Sequence, residues 1–160
     1  PLPQMDALDR MHQQIMVVLG HLASLIEHID RRGVDTTASK NALEVHRFFE
    51  GAARQHHDAE EQFVFPALLA DGDSDLTQHV LRLRQDHGWL EEDWRLLGPQ
   101  LQAIAEGYSW YDLEMLRHAI PIFTALYEEH IALEESIIYP EARRRHMAAA
   151  MGQEQRRTSA

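Results

Sequence analysis

Five of the eleven histidines in this 160-residue chain are followed four residues later by a glutamate. The pairs are His46/Glu50, His56/Glu60, His57/Glu61, His87/Glu91 and His130/Glu134. Roughly one such pair is expected by chance, the ordinary false-positive rate of a short motif. On a helix, residues at i and i+4 lie on one face, so each pair can aim an imidazole and a carboxylate at one point. Imidazole suits iron, zinc or copper, and a carboxylate can bridge two ions. Spacing alone does not choose iron over manganese or zinc.

Two of the pairs fall in an internal repeat. His56-His57-Asp58-Ala59-Glu60-Glu61-Gln62-Phe63-Val64-Phe65-Pro66 aligns with His130-Ile131-Ala132-Leu133-Glu134-Glu135-Ser136-Ile137-Ile138-Tyr139-Pro140 at a constant offset of 74 residues. The lone histidines of the preceding segments nearly follow, since His12 and His87 are 75 apart. Each half therefore reads as one helix with a single histidine, then one with His-x3-Glu. The alignment selects His56/Glu60 over the adjacent His57/Glu61. It leaves His57 about 100° round the helix, as a neighbour of the site or in solvent. Two helices supplying His-x3-Glu can place two carboxylates between two metals, with the lone histidines completing each set. His-Glu-x-x-His is absent, which argues against a zinc protease. Glu-x-x-His is absent too, and with it the ferritin-type di-iron pattern.

These residues need long helices to hold them. Leu8, Ile15, Leu19, Leu22, Ile26 and Ile29 recur at helical spacing and predict a first helix over about residues 5–31, stopping near Gly33. Asp35, Thr36 or Thr37 can cap a second helix running to about Ala70, with Leu43, Phe49 and Phe63 inward. Asp71-Gly72-Asp73-Ser74-Asp75 reads as a turn. A third helix starts near Asp75, carries Leu76, Val80, Leu83, Leu90, Trp94 and Leu97, and ends at Gly107. A kink or break is expected at Gly98-Pro99. Ser109 or Asp112 caps a fourth helix with Leu116, Phe123, Leu126, Leu133 and Ile137 inward and a kink at Pro121. The expected fold is all-α, an up-down-up-down four-helix bundle over residues 1–148, with a flexible tail over 149–160. His12, His87 and His130 each sit between apolar residues at i−4 and i+3, on core-facing stripes where an uncompensated polar group is costly.

Composition narrows the partners. A net charge of −11 argues against nucleic acid and anionic membrane surfaces. Hydrophobic residues make up 44%, enough for a core, but no apolar run reaches the length of a membrane span. There is no cysteine, which excludes disulfides, thiolate metal sites and thiol nucleophiles and fits a reducing, cytoplasmic compartment. The chain opens Pro1-Leu2-Pro3, without a signal-peptide pattern and without an initiator methionine, which leaves open whether the true start is present.

The motifs resemble the hemerythrin-like (HHE) cation-binding family over roughly residues 5–145. The resemblance rests on Arg10-Met11-His12-Gln13, on His56-His57-x-x-Glu60-Glu61-x-x-x-Phe65-Pro66, on His87 after Asp86, and on His130-x-x-x-Glu134-Glu135-x-x-x-Tyr139-Pro140. It implies a non-haem centre of two iron ions, oxo- or hydroxo-bridged, with His12, His56, Glu60, His87, His130 and Glu134 as ligands and Glu60 and Glu134 as the bridges. It also implies binding or sensing of dioxygen, nitric oxide or peroxide, or iron handling. At position 91, where the invertebrate oxygen carriers have a further histidine, this chain has Glu91. Four histidines and two glutamates are closer to bacterial relatives, among them iron-centre repair proteins that carry an extra cysteine-containing segment.

A binding or sensing role is therefore the expectation, favoured over catalysis, with a homodimer left open. A peroxide-consuming or repair enzyme is the alternative, and a metal-free helical interaction module is a third reading. Glu61 and Glu135 are expected to be exposed or to support the ligands by hydrogen bonds. Glu91 is a candidate extra ligand. Tyr127 either points at the metals or keeps its hydroxyl in water. His46 with Glu50 lies too far along its helix to join the site. His21, His28, His79, His118 and His146 are assigned to surface or packing, and Phe49, Phe63, Phe65, Trp94 and Phe123 to the core.

Overall fold

The computed structural model of the chain describes residues 2–70 and 72–159. Pro1, Asp71 of the expected turn and Ala160 of the expected tail lie outside the described residues. Among the described residues every regular element is helical. The first rod is α1 (Leu2–Arg32). The second is α2 (Thr36–Glu50), α3 (Ala52–Ala59), a wider π-type stretch Glu60–Val64, and α4 (Phe65–Leu69). The third is α5 (Ser74–Glu106). The fourth is α6 (Leu113–Leu133), a second π-type stretch Glu134–Ile138, and α7 (Tyr139–Thr158).

Aspartates start three of the rods. Asp35 accepts from the Ala38 amide at 2.8 Å, Asp73 from Leu76 at 2.9 Å, and Asp112 from Met115 at 3.0 Å. Each takes up an amide that the first turn leaves without a partner. Gly107 ends α5 with φ +79°, a left-handed conformation that a side chain would oppose. The connections are short, so consecutive rods run antiparallel. α1 packs on α2, α2 on α5, α5 on α6, and α6 closes back on α1.

Two apolar clusters fill the bundle. One joins the start of α1 (Met5, Leu8) to Phe65 and Leu68, to Leu76, Val80 and Leu83, and to Ile138 and Tyr139. The other joins Ile15 to Ile29, Ala38 to Ala53, Leu90 to Ile104, and Leu116 to Ile131. The start of one rod thus meets the end of the next at a single pole, as an up-down-up-down order requires. Among the described residues no helix is long and apolar enough to cross a membrane.

The structure differs from the sequence pattern at several points. Phe63 is 58% exposed and Ile137 38% exposed, while their neighbours Val64, Phe65, Ile138 and Tyr139 are buried. Both errors lie inside a π-type stretch. There the Phe65 amide bonds Glu60 and the Tyr139 amide bonds Glu134, one residue further back than in an α-helix. The extra residue turns the following face by about 100°, so the seventh residue after the histidine points out and the eighth points in. Pro66 and Pro140 supply the reason: each lacks an amide hydrogen and its ring would crowd the carbonyl four residues back. Leu43 is also exposed, because Ala42, Val45 and Phe49 form the inward stripe. α5 is not broken at Gly98-Pro99; Pro99 faces solvent, and Gly98 lies under Trp94, whose ring a Cβ would meet at 3.2 Å. α6 likewise runs through Pro121. Residues 149–158, expected in the tail, are the last, mostly exposed turns of α7.

Phe123, by contrast, is 1% exposed and in edge contact with Phe49 and Tyr127 at 5.3 and 5.1 Å. Phe123→Ala is expected to lower the unfolding free energy of the metal-free chain by about 3–5 kcal/mol, and Phe63→Ala to change it by no more than about 0.5 kcal/mol. Urea denaturation measures both. Equal losses at the two positions would contradict the phase assigned to the π-type stretch.

Candidate metal centre

A polar layer separates the two apolar clusters. His12 lies between Leu8 of one and Ile15 of the other, and His87 between Leu83 and Leu90. His56 and Glu60 stand between Ala53 and Val64, and His130 and Glu134 fall where α6 gives way to Ile138. All six residues expected as ligands are less than 5% exposed. They form two groups of four, His12, His56, Glu60, Glu134 and Glu60, His87, His130, Glu134, within each of which the donor atoms lie within 4.8 Å of one another. Both groups contain both glutamates.

The distances describe atoms converging on common points. His87 Nε2 and His130 Nε2 are 3.1 Å apart. Glu134 Oε1 is 3.0 Å from His130 Nε2 and 3.3 Å from His12 Nε2, so one oxygen touches both halves. Glu60 puts Oε1 against His56 Nε2 and Oε2 at 3.7 Å from His87 Nε2, and so spans them. Ligands about 2.1 Å from one ion stand roughly 3.0–3.4 Å apart, for octahedral to tetrahedral angles. Neither oxygen of Glu60 or of Glu134 has a hydrogen-bond partner of proper geometry, although all four are buried. Two buried carboxylates left without donors are expensive in an apolar bundle unless a cation meets them. The donor set fits a cation of intermediate hardness.

Carboxylates outside the cage hold three of the imidazoles. His12 Nδ1 is 3.2 Å from Glu135, His87 Nδ1 is 3.0 Å from Glu61, and His130 Nδ1 is 3.1 Å from Asp86. Such bonds fix the ring and turn the Nε2 lone pair inward. Glu61 and Glu135 are exposed and bonded at once, as their place beside the ligand glutamates suggested. Asp86 was missed. Its signal was an acidic residue on the buried stripe between Leu83 and Leu90, next to His87.

Two more residues adjoin the cage: Tyr139, whose contact was not legible, and His57, which was expected either there or in solvent. Tyr139 stacks on His12 at 4.9 Å and 11°, with its hydroxyl 3.1 Å from His12 Nε2. His57 is buried rather than in solvent, stacked on His87 at 4.1 Å with its own Nε2 unpartnered, and belongs to neither group. Tyr127 is 3% exposed, buried among Phe49, Phe123 and His57. Glu91 is exposed and in neither group. His46 lies away from the cage, its ring 5.8 Å from Trp94, whose indole nitrogen donates to Glu50 at 2.8 Å. His28 bonds Asp35 at 2.8 Å.

Burial dominates the electrostatics. It pushes His57 well below 6.5, and the charges of His87, His130, His56 and His12 push the same way. Burial also lowers His87, with Glu60 opposing and His130 adding to the shift. Burial would raise Glu60, but the adjoining imidazole of His56, with the charges of His87 and His130, holds it below 4.5. Tyr139 and Tyr127 are both held protonated by burial and by the nearby charge of Glu60.

The family model of the hemerythrin HHE cation binding domain matches residues 4–151. An uncharacterised protein of Haemophilus influenzae is 27% identical over 132 residues, covering 82% of this chain and 74% of that protein. In the metal-free chain, the lowered histidines set the response to acid. Folded His57 and His87 bind protons more weakly than unfolded ones, so below 6.5 the unfolded state holds more protons and stability falls as pH drops. Each contributes up to about 1.4 kcal/mol per pH unit between its unfolded and folded values. His57→Leu should flatten the loss measured by urea unfolding between about pH 7.5 and 5.5. An unchanged slope would show that His57 does not take up the proton.

Proposed function

The chain belongs to the hemerythrin HHE cation-binding family, and on that premise we propose that it holds two iron ions and uses them to bind or sense a small ligand such as dioxygen, nitric oxide or peroxide. His12 and His56 serve one ion, His87 and His130 the other, and Glu60 and Glu134 are shared. The observation that carries this reading is the pair of four-residue groups with both carboxylates in common. The four buried carboxylate oxygens without hydrogen bonds, shared between the two groups, support two ions rather than one. Iron accords with the family and with a donor set of imidazole and carboxylate without thiolate.

The bound pair would supply Lewis acidity and electron exchange. The chain does the rest. Glu135, Glu61 and Asp86 orient the rings of His12, His87 and His130. The apolar clusters on either side exclude bulk water and strengthen every charge interaction within the layer. Two imidazoles and the shared carboxylates leave each ion room for a further ligand. A cavity of about 20 Å³, bordered by Phe49, Arg54, His57, Leu90, Glu91, Trp94, Phe123 and Tyr127, adjoins the layer through His57, which stacks on His87. That is space for a group about the size of a water. A diatomic ligand or peroxide is close to that size.

Metal analysis and visible absorption test this directly. Protein loaded anaerobically with ferrous iron and then exposed to air is expected to retain about two irons per chain. His56→Ala and His130→Ala should each retain about one or fewer, with the helical circular dichroism kept. Spectral change on adding nitric oxide, azide or peroxide then identifies the ligand. A folded wild-type chain that takes up no iron would overturn the reading, as would full iron content in both variants.

A further inference from the structure

The repeat that builds the cage is broken around it. Under the offset that matches His56 to His130, the aromatic Phe65 matches Tyr139. Under the offset that matches His12 to His87, the residue before each histidine is Met11 in one half and Asp86 in the other. These differences fall on the groups that support the rings. In the half formed by His87 and His130, both Nδ1 atoms have a carboxylate, Glu61 at 3.0 Å and Asp86 at 3.1 Å. In the half formed by His12 and His56, only His12 has one, Glu135 at 3.2 Å. His56 Nδ1 is buried and has no partner at all.

The inward side is unequal too. Tyr139 brings its hydroxyl to 3.1 Å from His12 Nε2, one of the atoms that faces the cage. Its counterpart Phe65 stacks on His87 at 5.7 Å and offers no polar atom. A cation entering the first half must displace a phenol from one nitrogen. It must also accept a ring, His56, whose Nδ1 no carboxylate holds. In the second half both rings are held with their lone pairs inward, and His57 packs flat on His87 at 4.1 Å.

We infer that the two cation positions are unequal: the position between His87 and His130 fills first and holds its cation more tightly, while the position between His12 and His56 is the weaker, exchangeable one. The inference rests on the two-cation reading above. Loss of a carboxylate behind a metal-bound histidine typically weakens binding about 10–100-fold, which sets the expected gap between the steps. Asp86 acts as a positioning residue, through His130.

Titration of metal-free protein with cobalt(II), followed by visible absorption and calorimetry, reads both steps without any assay of activity. Wild type is expected to show two sequential steps, their affinities about 10–100-fold apart. Asp86→Asn should weaken the tighter step by a similar factor and narrow the gap. Tyr139→Phe should move only the weaker step. His56→Ala should keep the tighter step and His130→Ala should lose it, which assigns each step to its half even if Asp86→Asn fails to fold. Two steps of equal affinity in wild type would overturn the inference and leave the two-cation reading standing. A tight step that survives His130→Ala and disappears in His56→Ala would overturn it as well. A chain that binds no cobalt, or one ion at any concentration, would overturn the two-cation reading and this inference together.

Discussion

Two fully buried glutamates with no hydrogen-bond donors are the constraint on which the rest of this structure depends. A carboxylate taken from water into an apolar interior must be neutralised, paired or coordinated. Glu60 is surrounded by imidazoles that hold it ionised, and the Nε2 atoms of His87 and His130 meet at 3.1 Å beside it. The arrangement is costly as a protein interior and coherent as a cage for cations. The bundle accommodates that cost by placing the whole polar layer between two apolar clusters, each of which draws on all four rods.

The backbone is shaped by the same requirement. A regular α-helix after His56 or His130 would turn Phe63 or Ile137 into the core. The π-type stretches begin at the cage glutamates themselves, Glu60 and Glu134, and end just before Phe65-Pro66 and Tyr139-Pro140. The wider turn lets Phe65 and Tyr139 reach the cage, where they stack on His87 and His12. Proline thus marks the place where helix phase is reset. Without that reset, the aromatic residue that packs each lone histidine would lie on the wrong face.

Much of this was legible in the sequence, and the parts that were not share a cause. Helical periodicity located the four rods, and capping chemistry narrowed the starts of the second and fourth to Asp35, Thr36 or Thr37 and to Ser109 or Asp112, of which the structure uses Asp35 and Asp112. The repeat separated His56 from His57, although both belong to a His-x3-Glu pair, because alignment at fixed offset carries more information than either motif alone. Periodicity failed at Phe63 and Ile137 because it assumes a constant pitch, and nothing in a count of three and four signals an inserted residue. The two prolines were the available clue. Asp86, Tyr139 and the burial of His57 depend on contacts between rods. Asp86 meets His130 across 44 positions and Tyr139 meets His12 across 127, and such pairings leave no mark on local spacing.

The repeat also explains why the outer ring of the cage could diverge while the inner one stayed matched. Inner residues must each reach a common point, so a histidine or glutamate replaced by another type removes a donor from a buried cation. Outer residues act through a ring. Their replacement changes how firmly an imidazole is held and how basic it is, without emptying the site. Met11 in place of a carboxylate, and Tyr139 where the other half has Phe65, are changes of that graded kind. A bundle assembled from two similar halves can in this way keep one layer of donors while giving its two positions different affinities. On the two-cation reading proposed above, the weaker position is where exchange with solvent or with a small ligand would meet least resistance. On that reading the fold is the constant element, and affinity is tuned by residues that touch no cation.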